Sequence, residues 1–166
     1  MENKADIFLG IIEDHKGIIY KITNSYCKAS EDRKDLNQEI IVQLWQSFDK
    51  YNSQYSLSTW IYRIALNTSI SFYRKNRTKQ EKTIELSAII EISLNAEEPF
   101  QEDQNLVRLQ SFIQELKEID KAVVLLYLEG LSQKQIAEII GISASNVGTK
   151  ISRIKTTLYQ KFKAFK

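Results

Sequence analysis

Residues 130–158, GLSQKQIAEIIGISASNVGTKISRIKTTL, constrain the fold of this chain more than any other stretch, because two helix starts and a glycine bend are spelled out within them. Ser132 can cap a helix, and Gln135 three residues on completes a capping box. Ile136, Ala137, Ile139 and Ile140 then lie along one apolar stripe. Gly141 follows where a turn needs positive φ, Ile142 turns back toward a core, and Ser143 can cap a second helix running to about Leu158. The pattern predicts a helix-turn-helix.

Spacing and surface chemistry sharpen that expectation. Ala137 is small where two helices must approach, Gly141 falls at the bend, and Val147 faces inward with Ile151 and Ile154. The opposite face of the second helix carries Ala144, Ser145, Asn146, Gly148, Thr149, Lys150, Arg153 and Lys155, which are small, polar or basic. Its N-terminal end can enter a major groove while Lys150, Arg153 and Lys155 meet phosphate. An antiparallel helix pair with a solvated basic face is the plainer alternative, and the combined Ala, Gly and Val spacing favours the DNA reader.

Charge places a second basic region far upstream. Lysines plus arginines against acids number 7 to 9 over residues 1–50, 6 to 1 over 51–82, 2 to 9 over 83–120 and 8 to 2 over 121–166. Two basic blocks therefore flank an acidic one, and basic blocks are electrostatic footprints for nucleic acid. With one proline, five glycines and no long alternating strand pattern, the chain is expected to be all-α. No run approaches the roughly 20 apolar residues of a membrane span. The N-terminus MENKADIFLG lacks the basic and apolar regions of a signal peptide, so the expected location is the cytoplasm. Cys27 and His15 are single residues of their types, leaving no disulfide, no zinc cluster and no nucleophile constellation. Neither a cofactor nor an enzymatic activity is expected.

In chain order, residues 5–12 place Ile7, Phe8, Ile11 and Ile12 at helical spacing, and residues 15–28 repeat it with Ile18, Ile19, Ile22 and Tyr26. A polar break, SEDRKD, leads into a helix over 35–48 with Leu36, Ile40, Ile41, Leu44, Trp45 and Phe48 on its apolar face. Its other face carries Asp35, Asn37, Gln38, Glu39, Gln43 and Gln46. A polar loop, DKYNSQYSL, precedes a helix that Ser58 or Thr59 can cap. There Trp60, Ile61, Ile64, Ala65, Thr68 and Phe72 can pack inward, leaving Arg63, Asn67, Ser71, Arg74, Lys75 and Arg77 outside. Aromatics and amides beside a basic face suit unstacked bases, although Tyr51, Tyr55 and Tyr73 can equally cover a core. Residues 78–104 contain the proline and an acidic run and have the character of a linker, with Ile84, Leu86, Ile89, Ile90, Ile92 and Leu94 as a short apolar cluster. Stripes over 105–117 (Leu106, Leu109, Ile113, Leu116) and 119–129 (Ile119, Ala122, Val123, Leu126, Tyr127) predict two helices that support the helix-turn-helix, a four-helix C-terminal domain in all.

Three of these stretches together resemble the bacterial sigma factors of the extracytoplasmic-function group, in the sigma-70 family. DLNQEIIVQLW at 35–45 is similar to the family's D-x-x-Q-E helix, STWIYRIALN at 58–67 to its T-W-L-x-x-I-A-x-N, and YLEGLSQKQIAEIIGISASNVGTKISRIKTTL to sigma region four. The resemblance covers nearly the whole chain. It implies two small helical domains: region two over 5–77 and region four over 105–163, joined by an acidic linker over 78–104.

The resemblance also implies roles. Asp35, Gln38, Glu39 and Gln43 would dock on the clamp of core RNA polymerase. Asn52, Ser53, Gln54, Tyr55 and Ser56, with Asn67, Ser71, Arg74 and Lys75, would read the melted minus-10 element. Ser145, Asn146, Thr149, Lys150 and Arg153 would read the double-stranded minus-35 element. Glu97, Glu98, Glu102 and Asp103 would lie along the path of RNA, so that neutralising them alters abortive initiation and promoter escape. Members of the group are often held inactive by an anti-sigma factor. Ser71 stands where many members carry an acid, and Ile119 to Lys121 replaces the usual leucine-proline start of region four. The competing reading is a helix-turn-helix regulator that binds a palindrome as a dimer without polymerase.

Overall fold

Local propensity and apolar spacing produce helices throughout the described chain. A computed structural model describes residues 3–80 and 103–165, with side chains described to Asn76 in the first stretch. Most of the expected 78–104 linker, including Glu97, Glu98 and Glu102, lies outside the described residues, as do the apolar cluster from Ile84 to Leu94 and the side chain of Arg77. Among the described residues there are seven α-helices and one short 3-10 turn, arranged as two helical domains.

The first three helices make the N-terminal domain. Helix α1 spans Lys4–Tyr26 without interruption, where the sequence pattern suggested two helices. Nothing between residues 12 and 15 breaks it: Gly10 and Gly17 lie on its exposed side, and the His15 ring donates to the Ile11 carbonyl one turn back at 2.8 Å. Helix α2 spans Ser30–Ser47, so SEDRKD is its first turn and a half rather than a break. Glu31 and Asp32 suit the positive end of the helix dipole, and Arg33 ties the preceding bend by donating to the carbonyls of Cys27 and Lys28. Helix α3 spans Leu57–Gln80.

The three pack around Leu36, Ile40, Leu44 and Ile61, all fully buried, with Ile19, Ile22 and Leu66 beside them. Each such side chain contributes on the order of 1.5–3 kcal/mol by leaving water. Phe8 meets Trp45 and Phe48 edge-on at 5.1 and 5.4 Å, and Trp60 continues the row to Tyr51, locking α1, α2 and the 3-10 turn Phe48–Lys50 to the start of α3.

The C-terminal domain holds α4 (Gln104–Gln114), α5 (Glu118–Leu128), α6 (Gln133–Ile140) and α7 (Ala144–Lys163). Asp103, expected in the linker, caps α4 by accepting from the Asn105 amide at 2.9 Å. Leu106, expected on the buried stripe, is half exposed, and Phe112 takes the inward position against Phe162. Helix α7 runs past Leu158 to Lys163 because Phe162 and Phe165 pack back on Phe112.

The two domains touch. Helix α1 packs against α4 and α5, and α3 against α5 and α6. No helix among the described residues is long and apolar enough to cross a membrane.

Candidate nucleic-acid and protein-docking surfaces

The C-terminal surface is built by its caps. The Ser132 hydroxyl accepts from the Gln135 amide at 3.2 Å while the Gln135 side chain accepts from the Ser132 amide at 2.9 Å, so both halves of the capping box are made. Gly141 closes α6 at φ 84° and ψ 34°, a left-handed backbone that a side chain would strain. Its amide and that of Ile142 both return to the Ala137 carbonyl, which turns the chain sharply into α7. The Ser143 hydroxyl then accepts from the Asn146 amide at 3.1 Å and starts α7. Val147, Ile151 and Ile154 are buried against α5 and α6, which turns the opposite face outward.

That outward face carries most of the expected minus-35 residues. Ser145, Asn146, Thr149 and Arg153 are exposed, and Thr149 donates to the Ser145 carbonyl at 3.1 Å. Lys150 departs from the set: it is half buried, and its ammonium donates to Asp120 of α5 at 2.9 Å. Lys155 lies over the Tyr127 ring at 4.7 Å. Gln133 is a neighbour that the residue pattern did not single out. Its side-chain amide lies across Gly148, with Oε1 3.0 Å from where a β-carbon would stand.

In the N-terminal domain, Asp35, Gln38 and Glu39 are exposed along α2, directly opposite buried Leu36, Ile40 and Leu44. Gln43 is half buried and donates to Glu39 at 3.0 Å. These two α2 residues meet α3 across an open cavity of about 430 Å³, lined by Glu39, Gln43, Asn67, Thr68, Ser71, Phe72 and Lys75. A carboxylate and two amides thus face an ammonium over an aromatic wall. Residues expected to dock polymerase and residues expected to read DNA share one concavity, a grouping invisible in sequence because α2 and α3 contribute separate faces.

The loop residues Asn52 to Ser56 do not line that cavity. They are exposed before α3 in a built turn: the Asn52 side chain accepts from the Gln54 amide at 3.2 Å, and Ser53 holds φ 57°. Ser53 is the one non-glycine residue with positive φ among the described residues, which marks a strained position. Tyr51 lies on Trp60 and donates to the Tyr55 carbonyl at 2.8 Å, so it covers the core, whereas Tyr55 is exposed. The cap of α3 is Ser56, which accepts from the Thr59 amide at 3.2 Å; neither Ser58 nor Thr59 supplies it, since both already lie inside the helix. Arg74 points away from the cavity set toward Glu118 of α5, at 3.6 Å.

A second concavity, of about 80 Å³, lies on the C-terminal domain and is apolar, lined by Leu109, Val124, Tyr127, Leu128, Ile151, Ile154, Lys155 and Leu158. Among the described residues no cluster of histidine, cysteine and acids is placed to hold a metal. Cys27 is buried, and that burial pushes its thiol up to about 11, far from a reactive thiolate at neutral pH.

Comparisons with known proteins agree across the chain. The family model described as Sigma-70 region 2 matches residues 11–79, and Sigma-70, region 4 matches residues 106–158. RNA polymerase sigma factor SigV of Bacillus subtilis is 30% identical over 86% of this chain and 82% of its own length. ECF RNA polymerase sigma factor SigW of the same organism is 28% identical over 92% and 87%. In three dimensions, CnrH in complex with the cytosolic domain of CnrY superposes with a TM-score of 0.67 at 23% identity, covering 98% of this chain and 90% of that one. Sigma factor RpoE in complex with the anti-sigma factor NepR, from Bartonella quintana, gives 0.64 at 16% identity over 91% and 95%.

Proposed function

The chain belongs to the RNA polymerase sigma factors of the sigma-70 family, extracytoplasmic-function group, and on that basis we propose how its residues share the work of a promoter-specificity subunit. The protein binds core RNA polymerase, recognises minus-10 and minus-35 promoter elements and starts transcription. Residues 5–77 act as region two, 105–163 as region four, and 78–104 as the acidic link between them. The chain supplies positioning rather than bond chemistry and works in the cytoplasm. An anti-sigma factor is a partner class that fits, since one structural neighbour is such a complex.

In region two, Asp35, Gln38, Glu39 and Gln43 face the polymerase clamp. Asn67, Ser71 and Lys75, with Arg74 and the strained loop Asn52 to Ser56, take the melted minus-10 strand. Unstacked bases expose edges that amides and hydroxyls can bond, while Lys75 and Arg74 meet phosphate. In region four, Ser145, Asn146, Thr149 and Arg153 enter the major groove of the minus-35 duplex, while Asp120 holds Lys150 back from phosphate. Each base contact adds roughly 1–3 kcal/mol of discrimination. Two such weak readers gain specificity when one polymerase holds them both.

The observation that carries this reading is the face of α2 on which Asp35, Gln38 and Glu39 are exposed, standing over a fully buried apolar stripe of Leu36, Ile40 and Leu44. Run-off transcription with bacterial core polymerase, on DNA from upstream of the gene, tests it. Transcripts that require the protein and fade with Gln38→Ala/Glu39→Ala are expected. Tight binding of the protein alone to a palindrome, with no transcript on any genomic template, would replace this reading with the dimeric regulator.

A further inference from the structure

Helix α7 has a gap in its reading row, and a side chain from the neighbouring helix fills it. Gly148 lies one turn from both Ser145 and Ser152, which are exposed, on the shoulder of α7 that meets α6. A glycine there offers no side chain to a groove. Gln133, the first residue of α6, occupies the space instead: its Oε1, Nε2 and Cδ stand 3.0, 3.3 and 3.4 Å from where a β-carbon at 148 would lie. The polar end of a carboxamide thus takes the place that a side chain of α7 would otherwise hold.

That carboxamide is uncommitted. Gln135, two residues on, already accepts from the Ser132 amide at 2.9 Å in the capping box. Gln133 is exposed and, among the described residues, makes no hydrogen bond. Its backbone is nonetheless fixed, because Ser132 caps one end of α6 and the left-handed Gly141 closes the other. A carboxamide presents an acceptor and a two-proton donor side by side. In the major groove adenine offers the complementary pair, N7 as acceptor beside the N6 donor, whereas guanine offers two acceptors.

We propose that Gln133 is a specificity-determining residue for the minus-35 duplex, reading an adenine across the bare backbone of Gly148. The proposal rests on the assignment of α7 to that duplex. The reading set then spans both helices of the helix-turn-helix, and Gly148 serves twice: it clears room for the amide and lets the backbone of α7 come close to base edges. Asn146, the amide on α7 itself, stands two positions from Gly148 and so on the opposite flank of the helix. The two amides therefore address different base pairs.

The test is a transcription selection with holoenzyme assembled from bacterial core polymerase and the full chain. Templates are DNA from upstream of the gene with the minus-35 base pairs randomised, each carrying a barcode in its transcribed part. Wild type is expected to favour adenine at one base pair by about tenfold, and Gln133→Ala to flatten that preference while leaving the others in place. Gln133→Glu should shift the same base pair to cytosine, whose N4 donates to a carboxylate. Asn146→Ala should flatten a different base pair. Because Gln133 is exposed, helicity by circular dichroism should not change; Gln133→Glu, nearly isosteric, carries the test if alanine lowers it.

An unaltered profile in the Gln133 variants overturns the proposal. So does a uniform loss over all sequences with every base preference intact, which would make Gln133 a phosphate contact. Flattening of one and the same base pair by Gln133→Ala and Asn146→Ala overturns the division between the two amides. Failure of the functional reading is a separate result: wild-type holoenzyme would then give no transcript from any template.

Discussion

Gly148 sits in the interior of α7, on the face assigned to DNA, and Gly148→Ala separates stability from reading. Alanine in place of glycine within a helix is worth about 0.8–1 kcal/mol. Against this stands one contact: the new β-carbon would lie 3.0 Å from Gln133 Oε1, 3.3 Å from Nε2 and 3.4 Å from Cδ. All three are the far end of a flexible, exposed side chain, so rotation relieves the contact for a few tenths of a kcal/mol. The net is a gain of about 0.5–0.8 kcal/mol, or a rise of roughly 1–3 °C in the melting midpoint for a chain of this size. Gly10→Ala in α1, where nothing lies within 4 Å, is the control and should show the full gain.

DNA binding should move the other way. The β-carbon narrows the space between Ser145 and Thr149, and Gln133 is pushed toward the groove. Loss of one good contact weakens the minus-35 duplex by about five- to tenfold. The assays are circular dichroism at 222 nm on the full chain and fluorescence anisotropy on a labelled duplex. The double variant Gly148→Ala/Gln133→Ala should recover the few tenths lost to the contact, a coupling that a cycle measures directly. A midpoint below wild type would show that Gln133 cannot move away, and unchanged affinity alongside a higher midpoint would show that the DNA does not need the glycine; either result refutes the reasoning.

Other expectations follow from single interactions. Ser132→Ala removes one half of the capping box and should cost about 1 kcal/mol in urea denaturation, with Ser132→Thr close to wild type. Ile40→Ala empties a fully buried site under the polymerase-facing row and should cost 2–5 kcal/mol, weakening pull-down by core polymerase although no exposed residue changes. Arg153→Ala should lower the salt slope of minus-35 binding by about one, whereas Asp120→Asn should raise affinity by freeing Lys150 for phosphate; no change with Asp120→Asn would mean that the Asp120 contact does not hold Lys150 back. Stability should fall as pH rises from 9 toward 11. The Cys27 thiol ionises near 9 when unfolded and near 11 when buried, so above pH 9 the unfolded chain binds fewer protons and gains. Tyr26 and Tyr62, also raised by burial, add the same sign, and Lys121, lowered mainly by desolvation, opposes it. The part due to the thiol is therefore the difference between wild type and Cys27→Ala across that range, and parallel curves would refute it.

What was legible in the sequence is what local chemistry decides. The capping box at Ser132, the left-handed Gly141, the cap at Ser143 and the inward row Val147, Ile151 and Ile154 all follow from a few adjacent residues, and all are present. Boundaries failed where several residues could do one job. Ser56, Ser58 and Thr59 can each cap a helix, and Ser56 does so, two residues before Ser58 and three before Thr59, with Tyr51 packed on Trp60 at the start of α3. SEDRKD looks like a break by polarity, yet it is a good helix start, since acids at the N-terminal turn and an arginine reaching back to the preceding carbonyls stabilise it.

Less legible was anything that depends on which faces meet. The four-residue spacing of Glu39 and Gln43 marks one helix face and that of Asn67, Ser71 and Lys75 another, but no periodicity says that the two enclose one cavity. Lys121 is the sharper case. By composition it belongs to a basic block and should be solvated; its burial is decided by Tyr26 and Tyr73, residues 95 and 48 positions away in a different domain, together with the carbonyl that Glu118 offers to Tyr26. A charged residue so placed gains little for the stability of either domain alone, because the cost of its desolvation is offset only when both rings are present. Its energy is therefore tied to the relation between the domains, and such a residue can set whether they stay together without changing how either one folds.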